Sequence, residues 1–242
     1  GDHYPFSHRE FPDKNFVFRL TPPPGKSIYY VRVETATSLN FEPIMHSYRA
    51  YRDQFHKVYP IFWLYYGAML IMVIYNLVLF SLIREIHIIY LAVFIFMFLL
   101  LQFSLNGFAF QFLWPNAIWW ANNCIPMFIC LTVFFLLIFV RDFVNLQELA
   151  GSERFDKFMR YGVMAPNLLW VVACLFTGNY ALNIKVSTML AAYSILVTVG
   201  GGTVLVRNQF NRSVRFIGLS CGVLVVGVLL YIGKTYGILP AN

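Results

Sequence analysis

The side chains able to do chemistry in this 242-residue chain are few and poorly spaced for it. His3, His8, His46 and His56 are scattered over the N-terminal segment, and no two stand at the i, i+4 spacing that would aim both imidazoles at one metal from a helix face. Cys124, Cys130, Cys174 and Cys221 form no CxxC and have no histidine at ligand spacing, so they read as buried free thiols acting as small hydrophobes. Ser104, Ser194 and Ser220 lack a histidine to act as base. The GGGT run at 200 to 203 has no strand before it and no phosphate-binding context. No catalytic residue, metal ligand or cofactor site is expected, and the chain is not expected to be an enzyme.

The elements that carry these residues explain the scarcity. Hydrophobic residues make up 59% of the chain and charged residues only 12%, a balance that suits lipid better than water as the main solvent. Long apolar runs lie at about 60–83, 88–111, 124–140, 158–177, 184–206 and 215–236, and their middles contain no Asp, Glu, His, Lys or Arg. Each is long enough for a helix to cross about 30 Å of hydrocarbon. The runs are continuous rather than alternating, so helices are expected over barrel strands. The fold class is therefore an α-helical integral membrane protein with six transmembrane helices.

Missing charge at membrane depth also excludes functions. Proton-coupled transporters, pumps and metal-dependent intramembrane proteases need carboxylates or imidazoles there. Neutral polar groups do occur, at Asn76, Gln102, Ser104 and Asn106. Such side chains hydrogen-bond across helices for about 0.6 kcal/mol on average, and helix adhesion is the plain reading. A small-solute transporter or channel is the rival: Asn76, Gln102, Asn106, Asn167 and the Gly200 to Gly202 notch could line a polar path if they faced a common interior.

The net charge of +7 is better used for orientation than for nucleic acid, which is not an expected partner. Arg84, then Arg141, Arg154, Lys157 and Arg160, then Arg207, Arg212 and Arg215 fall in alternate loops, whereas the loops at 112–123 and 178–183 carry no Lys or Arg. The basic loops belong inside, which places the N-terminus outside. Arg49, Arg52 and Lys57 precede the first span on the outer side, where an exported folded domain escapes the local charge rule.

Residues 1–59 have a different texture and read as a partial extracellular β domain with its linker, followed by a helical bundle over 60–242. NFVFRL alternates Phe16, Phe18 and Leu20 against Val17 and Arg19, and IYYVRVETA alternates Tyr29, Val31 and Val33 against Arg32 and Glu34. TPPPGK between them is a turn, and a third short strand is expected around Ser38 to Ile44. Three strands cannot close a stable sandwich alone, so the segment is expected to finish a larger β domain. Pro126, Pro166 and the glycines at 200 to 202 are the expected kink or close-packing points. Arg141 to Arg160 mixes Phe143, Val144, Leu146, Leu149, Phe155 and Phe158 with charges, as an interfacial helix would. Trp114, Trp119 and Trp120 fit a headgroup belt.

Particular strings add a family resemblance. WLYYGAMLIMVIYNLVLFSLIRE, with Tyr65, Tyr66, Gly67, Tyr75, Asn76 and Arg84, resembles the first helix of bacterial seven-transmembrane receptors with diverse intracellular signalling modules. Leu105, Asn106, Gly107 and Ala109, then Leu113, Trp114 and Pro115, are similar to that family's second helix and following loop. FVRDFVNL at Phe139 to Leu146 and the closing GILP at Gly237 to Pro240 resemble it too. The outer segment resembles the family's jelly-roll-like extracellular domain through Gly1, Asp2, Pro5, Phe6 and Arg9, then Pro24, Gly25, Tyr30, Arg32 and Val33.

The resemblance implies a sensor and signal-transmission module of a bacterial inner-membrane receptor, multi-pass, with its N-terminal side extracytoplasmic. It implies a small extracellular ligand, carbohydrate-like, and a cytoplasmic output domain in cis, beyond a seventh helix that would follow Asn242. The lipid bilayer is the other expected partner, and a homodimer is compatible with the family. Asn76, Asn106, Gly107, Trp114 and Pro115 are the residues expected to couple the helices, with Asn76 latching the first helix to a neighbour. The ligand-binding residues are not legible.

Overall fold

A computed structural model describes residues 4–33, 43–143 and 153–208, with side chains to residue 200. Among them five helical segments are long and apolar enough to cross a membrane. Helix α1 spans Tyr48–Ile83, α2 Ile86–Leu105, and α3 is a short turn of helix at Phe108–Phe112. Helix α4 spans Ile118–Phe143. The next crossing is compound: α5 at Glu153–Phe158, a π-helical segment at Met159–Met164, and α6 at Ala165–Phe176. Helix α7 runs Tyr180–Asn208. The sixth expected span, at 215–236, lies outside the described residues.

Helix α1 starts where the Ser47 hydroxyl accepts a hydrogen bond from the Ala50 amide, satisfying one of the orphan donors of the first turn. It ends at Arg84, whose left-handed φ of 63° stops the helix while its amide donates to the Phe80 carbonyl. At 36 residues it is about 54 Å long, well beyond the hydrocarbon thickness of about 30 Å. Its polar first turns, with Arg49, Arg52, Asp53 and Lys57, therefore stand clear of the lipid.

Helix α4 is the hub, packing against α2, α6 and α7, while α1 packs on α2. Leu101, Cys124 and Phe128 fill the seam between α2 and α4. Val133 and Leu137 of α4 meet Met159, Val163 and Met164 of the π segment and Ala191 of α7. A third cluster, Tyr59, Tyr66, Phe103, Phe108 and Ala109, joins α1 to α2 and α3 at the end of the bundle nearest the N-terminal segment. Leu64, Ile71 and Leu82 remain exposed along α1, a surface suited to lipid.

Several boundaries differ from expectation, each for a physical reason. The second span, expected to reach 111, stops at Leu105 because the chain turns through Asn106 and left-handed Gly107, φ 79°. The expected loop over 112–123 is shorter: Trp119 and Trp120 lie inside α4, which begins at Ile118. The fourth crossing is interrupted by the π segment ahead of Pro166. The alternating stretches at 16–20 and 28–33 form no strand among the described residues, because no second extended segment lies beside them to complete a ladder. Most of the third expected strand, and residues 144–152 of the expected interfacial helix, lie outside the described residues.

Candidate functional site

The N-terminal segment does not hang free of the bundle; it is seated on one rim. A tight loop, Phe11 to Asn15, forms the contact. Pro12 and Asp13 favour a turn, and the Asp13 carboxylate accepts the Asn15 amide at 2.8 Å, an Asx-type closure. Arg9 braces the loop by donating to the carbonyls of Asp13 at 2.9 Å and Lys14 at 3.1 Å. The Arg9 guanidinium also lies over the rings of Phe6, Phe16 and Phe110, 4.3 Å from the centroid of Phe16.

Asp13 is only 3% exposed, and a carboxylate cannot be buried cheaply without donors. One comes from α1: the Tyr51 hydroxyl donates to the second Asp13 oxygen at 2.6 Å. The Tyr59 hydroxyl, two turns on, is buried with no closed hydrogen bond among the described residues, yet feels the Asp13 charge. Lys14 reaches the other way, placing its ammonium 4.9 Å from the Phe62 ring centroid and 5.6 Å from that of Phe108. Burial lowers the Lys14 pKa from its ordinary 10.5, an effect the Asp13 charge partly opposes.

The floor of the seat comes from the α2 to α4 connection. The Gln111 amide donates to the Pro12 carbonyl at 3.0 Å, and the Phe6 amide donates to the Pro115 carbonyl at 2.9 Å. Phe6 packs edge-on against Phe110. At Gly107 the loop approaches so closely that an added Cβ would sit 3.1 Å from the Lys14 carbonyl oxygen. Beneath it, the Asn106 amide donates to the Tyr66 hydroxyl at 2.8 Å and to the Gln102 carbonyl at 2.9 Å, and Tyr66 in turn donates to that carbonyl at 3.2 Å. This triangle ties α1 to α2 directly under the seat. Trp114 packs into both neighbouring clusters, against Phe128 on one side.

Four of the five residues expected to couple the helices thus fall in one place: Asn106, Gly107, Trp114 and Pro115. Asn76 stands apart, ten residues and about 15 Å along α1 from Tyr66. Its amide donates to the Met72 carbonyl of its own helix at 2.8 Å. The sequence singles out Arg9 only as part of the family resemblance of the outer segment; Asp13, Lys14, Tyr51 and Gln111 are not singled out at all.

The opposite rim has its own polar knot. Arg141 of α4 grips Asp156 of α5 through two hydrogen bonds, at 2.6 and 3.2 Å, and Arg160 binds the same carboxylate at 3.0 Å. His87, paired with Glu85, packs edge-on against Phe143 nearby. Deeper in, the Asn167 amide donates to the Ser194 hydroxyl of α7 at 2.8 Å. Cys124, Cys130 and Cys174 are buried free thiols; Cys221 lies outside the described residues. Among the described residues no three His, Cys, Asp or Glu side chains stand together as a metal would need.

A bundle of long apolar helices with an N-terminal segment seated on one rim defines a multi-pass membrane protein. Residues 59–242 match the family model for the 7TM diverse intracellular signalling region, 7TMR-DISM_7TM, and residues 1–47 match that for 7TMR-DISM extracellular 2. The chain belongs to the 7TMR-DISM family. No curated protein and no solved structure matches it. The match at 1–47 makes the seated rim the extracellular one and the Arg141 rim the cytoplasmic one.

Proposed function

We propose that this chain is the sensor and transmission module of a bacterial inner-membrane receptor, passing the state of its extracellular domain through the bundle to a cytoplasmic output domain. The ligand it serves is a small extracellular molecule, carbohydrate-like by family. The chain itself catalyses nothing.

One observation carries this reading. The loop Pro12–Lys14 touches the first turns of α1 through Tyr51, and the α2 to α4 connection through Gly107 and Gln111, at the same time. While the loop stays seated, a movement of the extracellular segment bears on α1 and on the α2 to α4 connection together. A ligand need only favour one of two such arrangements by a few kcal/mol to change output strongly. The transporter alternative is weakened by where the polar residues lie. Asn76 is bonded to its own helix, Asn106 sits in the α1 to α2 seam, and Asn167 in the α6 to α7 seam, rather than along one path.

The direct test is Asp13→Asn together with Tyr51→Phe in a full-length receptor whose output can be assayed. Both variants are expected to insert normally and to change basal output. Unchanged basal and stimulated output in both, with the receptor at normal abundance in the membrane, rejects the seat as the route of transmission. Solute flux through reconstituted protein would instead favour the transporter.

A further inference from the structure

The compound crossing between α5 and α6 carries one residue too many for a plain α-helix. Across Met159–Met164 the backbone is π-helical, and the Ala165 amide bonds the carbonyl of Arg160, five residues back rather than four. Three local features favour the wider turn. Pro166 has no amide to donate and its ring would collide with the Gly162 carbonyl in a regular helix. Gly162 lies under the Phe158 ring, 2.9 Å from where a Cβ would be. The Asn167 side chain donates to the Val163 carbonyl at 2.8 Å, at the end of the widened turn.

Both flanks of this segment are anchored, and to different helices. On the cytoplasmic side Asp156, 5% exposed, is held by Arg141 of α4. On the other side Asn167, fully buried, is held by Ser194 of α7. Tightening the π turn to α geometry would rotate one flank against the other by one residue, about 100°. The two anchors cannot both survive that rotation. The widened turn therefore holds only while the inner end of α4 and the middle of α7 keep their present relation.

We propose that Met159–Met164 is a one-residue register switch, π when both anchors are made and α when either is released, so that it reads the position of α4 against α7 and turns α5 accordingly. Its signalling consequence rests on the receptor reading above; its conformational content does not.

The test places spin labels on the full-length protein in lipid nanodiscs, through Arg154→Cys and Leu169→Cys in a background whose native cysteines are alanine. Both sites are exposed and flank the segment. Distance distributions are compared for the parent, Asn167→Leu, Asp156→Asn and Pro166→Ala. The parent is expected to show one dominant distance and a minor second one. Asn167→Leu and Asp156→Asn should each raise the minor population about threefold or more, the factor for losing one average interhelical hydrogen bond, and Pro166→Ala should raise it by removing the ring that opposes a regular turn. Pro166→Ala removes a helix breaker and so guards against loss by misfolding. A single distance, unchanged across the parent and Pro166→Ala, overturns the switch. Shifted distances with unaltered output in the same variants would leave the switch standing and overturn the receptor reading of it.

Discussion

Tyr51 on the first helix donates a 2.6 Å hydrogen bond to Asp13, a carboxylate 38 residues earlier in the chain and almost wholly shielded from water. A hydrogen bond to a charged, buried acceptor contributes about 1.5–3 kcal/mol. Tyr51→Phe is therefore expected to loosen the seat by that order. Limited proteolysis of residues 4–33 in nanodiscs should report it as faster cleavage. Combining it with Asp13→Asn should add little, because both changes remove the same contact; fully additive effects would show that the two side chains act separately.

Gly107 and Gly67 make a matched pair. An alanine at 107 meets both a left-handed backbone, costing about 1–2 kcal/mol, and the Lys14 carbonyl at 3.1 Å. At Gly67 the backbone is helical and nothing lies within 4 Å. Gly107→Ala should release the loop and lower thermal stability, whereas Gly67→Ala should be neutral or stabilising by up to about 1 kcal/mol. Equal effects would contradict the close approach at 107.

Lys14 makes the seat sensitive to alkali. Its pKa is lowered by burial when seated, so the undocked loop holds the proton more tightly. Between the lowered value and the ordinary 10.5 the undocked state binds more protons, and docking must tighten as pH rises through that window. Lys14→Met keeps an unbranched side chain beside Phe62 and Phe108 but removes the ammonium and its titration. Protection of residues 4–33 from proteolysis should no longer rise with pH in this variant, leaving only the loosening at higher alkali that follows from the raised pKa of docked Tyr51; a rise that persists would assign the effect to another group.

At the cytoplasmic rim, removing one partner of a buried ion pair is costlier than removing an exposed one. Asp156→Ala leaves the partly exposed Arg141 without its main partner and is expected to cost about 1.5–3 kcal/mol. Arg160→Ala, at a half-exposed site, should cost under about 1 kcal/mol. Unfolding in mixed micelles gives the comparison, and a reversed order would refute the assignment of Arg141 as the main partner.

The two asparagines of the α1 to α2 region separate by what they bond. Asn106→Leu breaks the link to Tyr66, while Asn76→Leu removes a bond made within one helix. Basal output of a full-length receptor should change more in the first. A larger change at Asn76 would restore it as the latch between helices.

Much of the bundle is readable from residues because lipid imposes a local rule: an apolar run of sufficient length must be a helix. That is why α1, α2 and α4 stand close to their expected places. Their ends are less legible, since they are set by distant partners. Leu105 ends α2 because Asn106 turns in to Tyr66, forty residues away, and Trp119 joins α4 although its composition reads as a loop. The seat was hidden for the same reason. Asp13 and Lys14 form an ordinary polar turn until Tyr51, Gly107 and Gln111 come to meet them. Pro166 signalled a kink, but the widened turn ahead of it depends on anchors in α4 and α7 that no local pattern reveals. Alternation at 16–20 and 28–33 remains visible as pattern alone, without a partner strand among the described residues.

The length of α1 has a mechanical corollary. If it tilts as one rod about its entry into the lipid near Pro60, the arm out to Tyr48 is about 18 Å and the arm in to Ile83 about 35 Å. A sideways nudge of 1 Å at the extracellular tip would then sweep the far tip through about 2 Å in the opposite sense. Such a seesaw magnifies small displacements, so even slight adjustments around a captured molecule could be felt across the full thickness of the membrane.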